Sequence, residues 1–229
     1  MREESQAQLK ARALEVYERL NKTYGERTLK PRANPLRVLI STVLSQRTTA
    51  RGERKAFEAM WSRYGSWPAI RNADTMELAE ILKPANYSTT KAKRIQAILE
   101  TLLSDKGKAN LRFLRDLPAD EGLDFLTALP GVGLKTASVV LLFNFAKPVQ
   151  PVDTHVHRIS RRLGFVGANA DKAHRTLRDI YPNNANLHYS LHVAMIRHGR
   201  RVCKSQTPRC ARCPLLDLCP HGLKESAQI

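Results

Sequence analysis

Two groups of residues in this chain have types and spacings that do chemistry. Lys135 follows two glycines in Leu129-Pro130-Gly131-Val132-Gly133-Leu134-Lys135-Thr136-Ala137, and Asp153 stands eighteen residues later in Val152-Asp153-Thr154-His155. A lysine amine is one of the few side chains able to act as a nucleophile, and an aspartate carboxylate can stabilise positive charge. The plain structural alternative is a helical hairpin with a surface lysine and a helix-capping aspartate. The second group is Cys203, Cys210, Cys213 and Cys219, four thiols within 17 residues. Thiolates are soft ligands that suit zinc or iron–sulfur clusters, and spacing alone does not decide between them. Structural zinc sites usually separate two short-gap pairs by a longer loop, a shape this array lacks.

The elements that must position these residues read as helices throughout. Leu123, Phe125, Leu126 and Leu129 run into the Pro-Gly-x-Gly turn, and Ala137, Val140, Leu141 and Leu142 carry a second helix out of it. Glycines at 131 and 133 permit φ > 0 and a close backbone approach. N–H groups at the start of the second helix would face an anion such as a phosphate, with Lys135 in the first turn. Upstream, residues 6–24 form an amphipathic helix ending at Gly25. Asn34-Pro35 caps a buried helix that ends in Ser45-Gln46-Arg47-Thr48-Thr49-Ala50, short polar residues suited to lining a concave site or simply closing a helix. Phe57, Met60, Trp61 and Tyr64 make one face, stopped by Gly65, and Asp74-Thr75-Met76-Glu77 fits a capping box.

Next, Asn86-Tyr87-Ser88 opens a helix whose Lys91, Lys93 and Arg94 suit phosphate contacts or a solvated face. Ser104 to Asn110 reads as a short exposed linker. Pro148 and Pro151 enforce a loop, Asp153 caps the helix of Val156, Ile159 and Leu163, and two further helical patterns lead to His198-Gly199-Arg200 and the cysteines. Strand-like alternation is nearly absent, so the predicted fold class is all-α.

Composition sets the partner. Among 229 residues, Lys and Arg outnumber Asp and Glu by 38 to 21, a net charge of +17. So basic a chain favours nucleic acid, because neutralising phosphates releases counterions. No apolar run reaches the ~20 residues that span a bilayer, and Met1-Arg2-Glu3-Glu4-Ser5 lacks a signal peptide's apolar core. A cytoplasmic, nucleoid-associated protein is expected, and with it a metal or cluster site at the cysteines, since disulfides suit neither that compartment nor so confined an array.

From Gly131 to His155, and again at the cysteines, the sequence resembles the endonuclease III family of helix-hairpin-helix DNA glycosylases. The resemblance implies a two-lobed fold with a DNA cleft: a six-helix lobe over 28–147, and a discontinuous iron–sulfur lobe of 1–27 and 148–229. It implies that Lys135 is the nucleophile and Asp153 its partner, in a bifunctional glycosylase/AP lyase removing oxidised pyrimidines from duplex DNA. A [4Fe–4S] cluster on Cys203, Cys210, Cys213 and Cys219 is implied too. The family's Leu-Ser-x-Gln-x-Thr-Asp segment is matched at Leu44, Ser45 and Thr49, whereas its glutamine falls on Arg47, beside Gln46, and its aspartate on Ala50. DNA contacts are accordingly expected from Ser45, Gln46, Arg47, Thr49, Tyr87, Lys91, Gly131, Gly133, Thr136, His155, Lys204, Arg209 and Arg212, with Tyr87 nearest the loop that enters the gap left by a flipped base. The partner is double-stranded DNA carrying damaged bases or abasic sites, and the protein is expected to be a monomer.

Overall fold

The computed structural model describes residues 4–103 and 111–226. The linker expected at Ser104 to Asn110 lies outside them. Twelve α-helices and four short 3-10 turns account for the regular structure, with no strand among the described residues. The fold class is all-α. Contacts divide the chain into two compact units, one of Met1–Pro31 with Ala146–Ile229 and one of Arg32–Phe145.

In the unit of residues 32–145, α2 (Pro35–Leu44) starts where Asn34 Oδ1 accepts the Arg37 N–H at 3.0 Å. Then come α3 (Ala50–Tyr64), α4 (Trp67–Asn72), α5 (Thr75–Ile81), α6 (Ser88–Leu102), α7 (Ala119–Thr127) and α8 (Leu134–Phe145). Thr49, Ser66 and Asp74 cap α3, α4 and α5 with their side chains. Asp74 accepts from the Met76 and Glu77 N–H groups, while the Glu77 carboxylate is held by Arg63, 2.7 Å away. Helix α8 is apolar on nearly every side because it is the unit's central element, packed on α2 and α7, with Ala137, Val140, Leu141 and Leu142 fully buried. The middle of that helix fixes the place of its first turn, where Lys135 sits.

The other unit is built from α1 (Gln6–Tyr24), α9 (Thr154–Arg162), α10 (Ala170–Ile180), α11 (Ala185–Arg201) and α12 (Pro220–Ser226). A reciprocal capping box joins Ser5 and Gln8 at the start of α1. Val16 and Leu20 of α1, Val156 and Ile159 of α9, Leu177 of α10, and Leu191 and Met195 of α11 form its core, with Cys219 at the margin.

Candidate functional site

The turn before α8 uses its two glycines differently. Gly131 has φ +72°, the left-handed conformation that glycine adopts without a Cβ penalty. A Cβ there would also stand 2.6 Å from Arg94 Cδ. Gly133 is not left-handed; it lies exposed, and a Cβ on it would meet nothing within 4 Å. Its value is the open approach it leaves to the backbone beside Lys135. The Gly131 carbonyl accepts from Gln46 Nε2 at 3.3 Å, and Gln46 Oε1 accepts from Arg94 at 3.2 Å. Gln46 and Arg94 thus tie the hairpin to the end of α2 and to α6.

Around that tie, three non-glycine residues adopt positive φ: Arg47 (51°), Asn86 (55°) and Tyr87 (49°). Single residues in this region cost about 1–2 kcal/mol and persist only when their surroundings hold them. Asn86 Nδ2 donates to the Arg47 carbonyl at 3.3 Å, and the Arg47 guanidinium lies 5.7 Å from the Tyr87 ring centroid. Tyr87 itself is 58 % exposed.

Lys91 is what holds this corner. It is only 2 % exposed, and Nζ donates to the carbonyls of Leu44 (2.7 Å), Gln46 (2.6 Å) and Ala85 (2.5 Å). Burial, and secondarily the Arg94 charge, push its ammonium down to about 8, so it remains protonated at pH 7 with all three protons in use. The phosphate contact expected of Lys91 is therefore corrected: the side chain faces inward as a tie. Thr136 is likewise buried, so its side chain offers no surface for DNA, whatever the helix N-terminus does. Ser45 and Thr49 also serve their own backbone, Ser45 Oγ donating to the Thr42 carbonyl and Thr49 Oγ1 accepting from the Gly52 N–H.

In the other unit, Asp153 caps α9. Its Oδ1 accepts the His155 and Val156 N–H groups at 2.9 and 2.8 Å. His155 Nδ1 accepts from Arg158 at 3.0 Å, placing its proton on Nε2, and burial lowers the imidazole below its ordinary value. Gly199 packs so closely that a Cβ would lie 2.6 Å from His155 Nδ1, which explains the glycine between His198 and Arg200. Arg158 further donates to the carbonyls of Gly199 and Cys203, the latter twice. Sequence reasoning missed what Arg158 and the buried Gln150 hold, and read Arg94 as a phosphate contact or a solvated residue where it bonds Gln46. Their types look like ordinary surface residues, and only the fold shows what they hold.

All four cysteines line one cavity, with ~290 Å³ of empty space including its open side, together with Arg162, His221 and Gly222. Among the described residues, no three His, Cys, Asp or Glu side chains converge tightly enough for a single metal ion. Four thiols facing one space make a donor set that suits soft metal ions or an iron–sulfur group. N–H donors already face two of the sulfurs, Arg162 lying 3.1 Å from Cys203 Sγ and the Gly222 amide 3.4 Å from Cys219 Sγ, and His198 Nε2 lies 3.6 Å from Cys213 Sγ. Burial, and then the neighbouring thiols, raise Cys210; burial takes Cys213 up to about 11. Bound positive charge would reverse that. Arg209 and Arg212 are exposed on this loop, and Lys204 is half-buried.

The class follows from comparison with known proteins. Residues 40–183 match the model of the HhH-GPD superfamily of base excision DNA repair proteins. Endonuclease III of Thermotoga maritima is 35 % identical over 208 residues, 90 % of each chain. The structure of a non-covalent endonuclease III–DNA complex superposes with a TM-score of 0.78 at 32 % identity, covering 95 % of this chain and 98 % of that one. A trapped endonuclease III–DNA covalent intermediate gives 0.77 at 33 %, with the same coverage. This chain belongs to the endonuclease III family, and it is a DNA glycosylase and AP lyase of base excision repair.

Proposed function

We propose that Lys135 is the nucleophile of this enzyme and Asp153 its carboxylate partner, acting on oxidised pyrimidines and abasic sites in duplex DNA. The observation that carries the proposal is the hairpin itself, which offers an open backbone at Gly133 and a lysine in the first turn of a rigidly buried helix. The covalent intermediate described for the related endonuclease III supports it.

A free lysine has a pKa near 10.4, so only roughly one amine in a few thousand is neutral at pH 7. The positive end of α8, neighbouring cations and burial against a docked substrate all disfavour the ammonium form. With the nucleotide flipped from the duplex, the Lys135 amine bonds to sugar C1′ and the base leaves with the glycosidic electron pair. The Asp153 carboxylate stabilises the oxocarbenium character of that transition state. One of its oxygens is committed to capping α9, leaving the other for this work. Collapse to the Schiff base acidifies the 2′ protons, and β-elimination expels the 3′ phosphate. Phosphates of the bound strand are held by backbone N–H groups of the hairpin at Gly131 and Gly133, which position without reading sequence. Gln46, Arg47 and Tyr87 meet the damaged pair, and His155, Arg209 and Arg212 face the backbone.

Cys203, Cys210, Cys213 and Cys219 would hold a [4Fe–4S] cluster, which would supply structural cross-linking to their loop. The enzyme works as an intracellular, nucleoid-associated monomer.

Borohydride trapping on duplexes carrying an abasic site or thymine glycol tests the proposal. An adduct on both, lost in Lys135→Gln with DNA binding retained, is expected. Normal strand cleavage by Lys135→Gln would refute the nucleophile. An adduct on the abasic site alone would mark a lyase whose base preference has moved, with Arg47 and Ala50 responsible.

A further inference from the structure

The loop that delivers Asp153 cannot fix itself. It runs from Ala146, contains Pro148 and Pro151, and so lacks two of the N–H donors that would close turns within it. Its one internal backbone bond is short-range, the Val149 N–H to the Lys147 carbonyl at 2.8 Å. Yet the loop is buried at Val149, Gln150, Pro151 and Val152. Its carbonyls therefore need donors from elsewhere.

Two histidines supply them, and a third holds the Gln150 side chain. His174 Nδ1 of α10 lies 2.9 Å from the Gln150 carbonyl. From α11, His192 Nδ1 lies 3.0 Å from the Pro151 carbonyl, and His188 Nδ1 lies 3.0 Å from Gln150 Oε1. Gln150 Nε2 in turn donates to the Pro151 carbonyl at 3.3 Å, which sets the amide so that its oxygen faces His188. Since each of these Nδ1 atoms faces a carbonyl-type acceptor, each of them carries a proton. His188 is fully buried and Gln150 is 1 % exposed, so these bonds form out of contact with water.

We propose that His174, His188 and His192 are positioning residues for Asp153. The inference rests on Asp153 acting as proposed above. Helix α9 fixes the residue from its C-terminal side by binding Oδ1, and the three imidazoles fix the chain that enters it two residues earlier. Between them the backbone at Asp153 is held at φ −93° and ψ −178°, and with it the direction of the second carboxylate oxygen. A shift of about 1 Å in a group that acts on a transition state costs on the order of 100-fold in rate.

The test is a mutant cycle on the full-length, cluster-loaded enzyme, measuring single-turnover base excision, DNA affinity and cluster absorbance. His192→Leu should slow excision between 10- and 100-fold, with affinity within twofold and absorbance unchanged. His192→Asn, whose amide replaces the Nδ1 donor, should recover most of the rate. In an Asp153→Asn background, His192→Leu should cost nothing further. Equal slowing in both backgrounds would overturn the inference in favour of general destabilisation, as would no slowing in the native background. Should His192→Leu not fold, His174→Leu on the half-exposed side of the cluster takes its place under the same criteria. An Asp153→Asn enzyme as fast as the native one would sink both readings; a slow Asp153→Asn with an additive His192→Leu would sink only this one.

Discussion

The two functional regions solve positioning in opposite ways. Around Lys135 the parts proposed to meet DNA are exposed: a bare glycine at 133, and Arg47 and Tyr87 on strained backbone. Buried groups, Lys91 above all, hold them from behind. Around Asp153 the holding is distributed over three imidazoles, an amide and a guanidinium, whose bonds go to main-chain carbonyls and to Gln150 Oε1. A single charged tie gives a corner that fails all at once when the tie is cut. A spread of separate bonds fails by increments. Substitutions in the two regions should therefore differ in size as well as kind.

Cutting the charged tie should have the largest effect. Lys91→Met fills similar volume but leaves three carbonyls without their donor, and a buried unsatisfied group costs ~1–3 kcal/mol. Allowing for partial rehydration, a loss of about 3 kcal/mol is expected, read from the denaturant midpoint. The salt dependence of DNA binding should keep its slope in molecules that remain folded. A phosphate contact by Lys91 would instead lower that slope by about 1 with little change in stability.

The two glycines of the hairpin sharpen the contrast within one turn. Gly131→Ala must place a side chain at φ +72° and displace Arg94 from Gln46, so a loss of ~1–2 kcal/mol is expected. Gly133→Ala meets open space and should leave thermal stability within about 0.5 kcal/mol. Its effect should appear as weaker DNA affinity, because the methyl group occupies the approach to the backbone. Equal affinity for Gly133→Ala and native enzyme would remove the phosphate from this part of the turn.

Much of this was legible in the sequence because it rests on local rules. Asn34, Asp74 and Asp153 are caps by residue type and position, and Gly65 ends α3 as read. The four cysteines announced a shared site by spacing, as Lys135 announced a helix start. Illegible were the residues whose meaning depends on what lies across the fold. Lys91 has the composition of a surface residue in Lys91-Ala92-Lys93-Arg94, yet helical phase turns it inward while Lys93 stays exposed. The imidazoles were overlooked for the same reason. His188 and His192 sit one turn apart on α11, interleaved with Leu187, Leu191 and Met195, and nothing local says that a carbonyl awaits each of them. A pair of histidines at i and i+4 inside an apolar helical pattern is the signal that would have found them. The positive φ at Arg47 and Tyr87 had no signal at all, since neither residue type favours it.

The smallest effect expected comes from the neutral network, and it is a dependence on pH. Burial, with the Arg178 charge adding, lowers His188 to about 4, against an unfolded value near 6.5. Its folded value lies below the unfolded one, so the unfolded chain binds more protons between the two. The stability it contributes is fully present above pH 6.5 and is lost as pH falls through 4. One such group gives a slope of about 1.4 kcal/mol per pH unit at most in that window. His188→Asn keeps a donor for Gln150 Oε1 but cannot titrate. Its melting temperature should accordingly fall less steeply than the native enzyme's between pH 6.5 and 4.5, whatever its value at pH 7. His174, which burial also lowers, leaves a residual slope in that variant. Parallel slopes in the two proteins would mean that His188 is already charged in the folded state, and a charged imidazole against Gln150 would place the corner that carries Asp153 in the same single-tie category as Lys91.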